Sequence, residues 1–186
     1  MIAAVDGTPP FGALATLDAI LHDHAADLGA DFTPYRNHAY RVAHLCLGRL
    51  PSGVETVEKT AIAAAFHDLG IWTDHTFDYL APSVRLASAW LARRGNPAWT
   101  SEIAETIRWH HKLTAYRGDP GWLVEPFRRA DWMDVTLGVL TFGTPRALIA
   151  KLYAAWPDAG FHKRLVQLEL EHIRKHPLNP LPVFRL

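Results

Sequence analysis

Four residues spread along the chain have side chains that hold divalent cations: His38, the adjacent pair His67-Asp68, and Asp131. Imidazole nitrogens and carboxylate oxygens together suit a divalent ion in an octahedral or near-octahedral site with room for water. Helical phasing turns His38, His67 and Asp131 inward, and Asp68 follows His67 at the helix end, where the last turn is no longer regular. His67 shares a face with Thr60, Ala63 and Ala64, and His38 lies at helical spacing from Val42 and Leu45. Asp131 lines up with Val124, Phe127 and Asp134. Polar groups on such stripes follow from the 3.6-residue period. Charge placed there is costly unless neutralised, and a cation is one efficient neutraliser.

The elements that must carry these residues read as helices divided by Pro and Gly breaks. Expected segments run from about Phe11 to Leu28, Pro34 to Leu50, Glu55 to Asp68, and Pro82 to Arg94. They continue from Ser101 to Lys112, Leu123 to Leu140, Pro145 to Trp156, and Phe161 to His176. Gly70 suits a C-terminal cap after the His67-Asp68 pair, and Thr100 can cap the helix that follows it. There is no alternating strand pattern, internal repeat or low-complexity tract. The expected fold is all-α: a single-domain helical bundle over residues 1–186, with the motif-bearing core at about 34–140. The tail Pro177–Leu186 is expected to lie extended.

The ordered set His38, His67-Asp68, Asp131 resembles the H…HD…D signature of the HD superfamily of metal-dependent phosphohydrolases. The local contexts are similar too: Arg36-Asn37-His38-Ala39-Tyr40-Arg41-Val42, Ala64-Ala65-Phe66-His67-Asp68-Leu69-Gly70, and Arg129-Ala130-Asp131-Trp132-Met133-Asp134. The resemblance implies an HD-type all-α domain in which His38, His67, Asp68 and Asp131 bind one divalent ion (Mn, Fe, Co, Ni, Mg or Zn). It implies hydrolysis of a phosphate ester of a nucleotide or another small phosphorylated metabolite. Such an ion polarises the phosphoryl oxygen and activates a water. His67 and Asp68 are then the catalytic pair, with Asp68 orienting or deprotonating that water. Arg36 and Arg41, flanking His38, are candidates for clamping the phosphate, and structural ion pairs are the competing reading.

Some branches of the superfamily hold a second ion with further histidines. His110 and His111 are candidates for a second metal or for substrate contact. On a regular helix they point about 100° apart, so one of the pair is expected to reach the site. His75 follows the pair too closely to match the dinuclear spacing, and a mononuclear site is expected. The Asp-Gly-x-Gly-Tyr-Pro run of the cyclic-dinucleotide branch is missing: Leu113-Thr114-Ala115-Tyr116 follows Lys112. Trp72, Trp109 and Trp132 stand near motif residues as base-stacking or core aromatics. His22, His24, His44, His162, His172 and His176 have no motif support.

Composition narrows the field further. Lys+Arg and Asp+Glu number 19 each, so no bulk charge favours a nucleic-acid polymer or a membrane surface. The lone Cys46 has no partner for a disulfide and sits in an apolar run. Met1–Pro10 lacks a signal-peptide pattern, and no stretch of about 18 apolar residues occurs. A cytoplasmic enzyme with a small-molecule substrate, alone or as a homo-oligomer, is the expectation. The alternatives are a diiron oxygenase on an HD-type scaffold and a non-catalytic metal- or nucleotide-binding regulatory module.

Overall fold

The computed structural model describes residues 12–179 and 182, and among them the regular structure is entirely helical. The α-helices are α1 (Ala15–Asp23), α2 (Ala25–Leu28), α3 (Phe32–Leu47), α4 (Val54–Phe66) and α5 (Gly70–Thr73). They continue with α6 (Leu80–Arg93), α7 (Thr100–Trp109), α8 (Val124–Val135), α9 (Arg146–Ala155) and α10 (Phe161–Lys175). Helix α4 lies at the centre and packs on α1, α3, α6 and α7, while α3 and α8 lie against each other, as do α6 and α7.

Alanine explains the central place of α4. Ala61, Ala63, Ala64 and Ala65 are all buried, so neighbouring backbones approach from several sides, and Ile62 and Phe66 fill the remaining space. Burying a side chain such as Phe66 is worth about 1.5–3 kcal/mol. Helix α3 is equally enclosed, with Tyr35, Ala39, Val42, Ala43 and Cys46 buried and Arg41 buried among them. The result is one helical bundle, in agreement with the fold class expected from the pattern.

The ends of the helices show where local chemistry overrode periodicity. Helix α6 stops as expected: Gly95 takes a φ of +76°, and the Asn96 N–H reaches back to Leu91 O at 3.0 Å. Helix α8 ends at Val135, short of the expected Leu140, through the same device without a glycine at the turning position. Leu137 itself takes a φ of +54°, its N–H donates to Asp134 O at 2.8 Å, and Gly138 N–H donates to Met133 O at 2.8 Å. Gly70 is not a cap. It opens α5, and a Cβ there would lie 2.6 Å from Tyr79 O and 2.9 Å from Pro82 Cβ. Its role is to let the start of α6 close on the turn after His67-Asp68. Thr100 is the first residue of α7, after a 3-10 turn at Pro97–Trp99, and makes no side-chain cap. The expected first helix divides at His24, and Phe11 and Met1–Pro10 lie outside the described residues. Most of the Pro177–Leu186 tail also lies outside them.

Candidate metal centre

The end of one helix and the middles of two others meet at one point. His38 comes from α3, His67 from the residue after α4, Asp68 from the turn beyond it, and Asp131 from α8; all are at most 2% exposed. His38 Nε2 and His67 Nε2 stand 2.9 Å apart. Asp68 Oδ2 is 3.6 Å from His38 Nε2 and 3.3 Å from His67 Nε2. Asp131 Oδ1 stands slightly further out, at 3.7 and 3.8 Å from the same two nitrogens. Adjacent ligands around an ion with bonds of about 2.1 Å are about 3.0–3.4 Å apart. The His38–His67 and His67–Asp68 edges lie near that range and the His38–Asp68 edge just beyond it, so these three have the reach to share an ion, while Asp131 stands beside the group and outside it.

The proton inventory shows why this cluster is unusual. His67 Nδ1–H donates to Ala64 O at 2.8 Å, and His38 Nδ1–H donates to Asp134 Oδ2 at 2.7 Å. His110 Nδ1–H donates to Ile107 O at 2.6 Å. All three rings therefore spend one proton outward and aim Nε2 inward. What Nε2 meets there is other acceptors: His110 Nε2 lies 3.2 Å from Asp68 Oδ1. Both oxygens of the buried Asp131 accept no hydrogen bond. Lone pairs and carboxylates facing one another with no donor between them require added positive charge, as protons or as a metal ion.

With protons alone, the site titrates far from ordinary values. Burial works to lower His38, yet the Asp134 and Asp68 carboxylates raise it to about 9. Burial lowers His67 to about 3, with His38 and His110 adding repulsion against the pull of Asp68. Burial raises Asp131 to about 7, offset in part by His110 and His38. Asp134 moves the other way: burial opposes its charge, but the hydrogen bonds from His38 and Arg41 hold it well below the carboxylate range.

His110 and His111 both reach the centre, which corrects the expectation that one of them would. Helix α7 ends at Trp109, so the 100° rule stops applying one residue too early to separate them. His111 places Nε2 3.9 Å from Asp68 Oδ1 and Nδ1 3.6 Å from Asp131 Oδ2. The Tyr79 hydroxyl and His111 Nε2 are 2.5 Å apart. Two groups with the reach to hold a metal ion result, His38–His67–Asp68 and Asp68–His110–His111, with Asp68 common to both.

The arginines correct a second expectation. Arg41 is buried, pairs with Asp134 through Nε at 2.6 Å and Nη2 at 2.9 Å, and donates from Nη1 to Trp156 O and Pro157 O. Arg36 pairs with Asp18 at 2.7 and 3.1 Å and lies over the Tyr40 ring. Neither guanidinium is aimed at the cluster, so no phosphate clamp is formed by this pair. Both are structural ion pairs joining helices.

The structure adds residues that the sequence left unassigned. Asp134 orients His38, Tyr35 accepts the Asp68 backbone N–H at 3.3 Å while donating to Ala65 O, and Phe161 stacks on His38 at 4.1 Å. Asp134 alone had a legible signal, three residues after Asp131 on the same stripe. His162 contacts Asp158 and donates from Nε2 to Asp134 O at 2.9 Å. His75 lines a different cavity with His172 and His176. Trp72 is buried and donates to Asp31, Trp109 packs on Tyr116, and Trp132 lines the cavity that opens at Asp68 and His111. Among the described residues, no helix is long and apolar enough to cross a membrane.

No family model, curated protein or solved structure matches this chain.

Proposed function

We propose that this chain is a metal-dependent phosphoric ester hydrolase of the HD type, acting on a small phosphorylated molecule. The observation that carries the reading is Asp131, a buried carboxylate with no hydrogen-bond donor, facing imidazole nitrogens whose protons are spent elsewhere. A divalent ion held by His38, His67, Asp68 and Asp131 supplies the missing charge, and with it Lewis acidity and an activated water. Two imidazoles and two carboxylates suit Mn, Fe, Co, Ni or Zn better than Mg.

The roles of the side chains follow from their partners. His67 and His38 are held in position by Ala64 O and Asp134, so each can only ligate through Nε2. Asp68 borders the open cavity, and its Oδ1 lies 3.2 Å from His110 Nε2. A proton accepted at Asp68 Oδ1 therefore has a direct path to His110. A second reading, a diiron oxygenase, is favoured by the second group, Asp68–His110–His111, which has the composition to hold another ion beside the first.

Metal analysis after loading with manganese or iron, run beside Asp68→Ala and a panel of phosphate esters, separates these readings. The hydrolase reading expects bound metal, turnover of at least one ester, and loss of both in Asp68→Ala. Metal and turnover retained in that variant would remove the site. Two irons per chain with a mixed-valent electron paramagnetic resonance signal and no ester turnover would move the assignment to the oxygenase.

A further inference from the structure

The cavity that opens onto Asp68 and His111 has a volume of about 410 Å³, within the roughly 300–1,000 Å³ typical of small-molecule sites. Its chemistry is one-sided. Phe77, Tyr79, Trp132, Leu137 and Val166 form much of the wall, and its acidic residues are Asp68 and Glu169. Its other histidine, His162, already has both ring nitrogens engaged by Asp158 and Asp134. No Lys or Arg lines it among the described residues. Leu137 and Val166 are 60% and 54% exposed, so the lip is apolar as well as the wall.

The cationic side chains lie elsewhere. Arg36 and Arg41 are spent on Asp18 and Asp134. Arg49, Arg117 and Arg129 line a separate cavity of about 650 Å³ that contains none of the metal-centre residues. A nucleotide bound at the centre would have only the metal and histidines to meet its reacting phosphate. Any further phosphate would rest on apolar rings or beside Glu169, where an unpaired anion is costly.

We infer that the cavity binds the apolar body of the substrate, and that the substrate is a phosphate monoester of an aliphatic or aromatic alcohol, with no second anionic group. This rests on the hydrolase reading for the phosphate half alone. The apolar half rests on the cavity itself and is testable without metal.

Binding of neutral n-alkanols from ethanol to octanol to the metal-free chain, followed by nuclear magnetic resonance of the Trp132 indole N–H, tests the cavity directly. Affinity is expected to rise about threefold to fourfold per methylene until the cavity fills. Val166→Glu, a change at an exposed lip position checked for fold by circular dichroism, is expected to weaken octanol binding by at least about tenfold by placing charge beside the chain. Absent binding, or binding with no chain-length dependence and no response to Val166→Glu, overturns the inference. In parallel, the manganese-loaded chain is assayed on ethyl to octyl phosphate and on a nucleotide with a second anionic group, adenosine 3′,5′-bisphosphate. Octyl phosphate outrunning the nucleotide supports the inference, whereas the nucleotide outrunning octyl phosphate overturns it while the hydrolase reading stands. Alkanols that bind as expected beside a protein that turns over no ester sink the hydrolase reading and leave the apolar cavity assigned.

Discussion

Replacing Asp134 with Asn changes the chemistry of one atom and almost none of its volume. The carboxylate accepts from three donors: His38 Nδ1 at 2.7 Å, Arg41 Nε at 2.6 Å and Arg41 Nη2 at 2.9 Å. An amide offers one oxygen and one NH₂. With the oxygen toward Arg41 Nε, the NH₂ meets His38 and Arg41 Nη2 donor to donor; flipping the amide moves the clash to Nε. In either orientation a buried guanidinium loses its counter-charge, because its remaining partners are the neutral carbonyls of Trp156 and Pro157. Removing one partner of a buried ion pair costs about 3–5 kcal/mol. At roughly 2–4 °C per kcal/mol for a chain of this size, the melting temperature should fall by roughly 6–20 °C. A second readout is independent of stability: His38 loses the group that fixes its ring, and such outer partners are worth about 10–100-fold in metal affinity. Urea unfolding of the metal-free chain and calorimetric titration with manganese measure the two effects. A stability loss below about 1 kcal/mol together with unchanged manganese affinity would refute the reasoning, since neither Arg41 nor His38 would then depend on Asp134.

Two further predictions concern the frame around the centre. Gly70→Ala puts a Cβ against the backbone at Tyr79 and Ser83, and should cost about 1–3 kcal/mol in chemical denaturation; a neutral result would show that α6 can retreat freely. His44, stacked on Trp156 beside Tyr40, is pushed by burial down to about 4, opposed by a backbone hydrogen bond at Gly12. Its folded value lies below the unfolded 6.5, so the unfolded chain binds the extra proton and stability is lost as pH falls from 6.5 toward about 4. His44→Phe keeps a ring in the stack and should lack that component, seen as a smaller drop in urea midpoint between pH 7 and pH 4.5; equal drops in both proteins would count against it.

How much the sequence revealed depended on whether a residue sat inside a regular helix. His38 and Asp131 lie mid-helix, so the 3.6-residue period correctly turned them inward. Asp68, His110 and His111 sit just past helix ends, where the period no longer sets direction. The joint arrival of the two histidines was invisible for that reason. Gly70 was legible as a necessary glycine but for another cause, since close approach of Tyr79 leaves no mark in local sequence. Arg41 looked available beside His38, and its partner Asp134 is 93 residues away. Long-range pairing of this kind has no local signature. The all-helical architecture rests on many concurring segments and survived errors of several residues at individual ends, such as α8.

Helix α10 joins two jobs that are often separated. Its first residue, Phe161, is its buried anchor and stacks on His38. Its following turns supply Leu165, Val166 and Glu169 to the wall of the cavity. Local opening is cheap where few apolar contacts are buried and grows dearer toward an anchor. Amide hydrogen exchange along α10 should therefore slow in a gradient from Lys175 back toward Phe161.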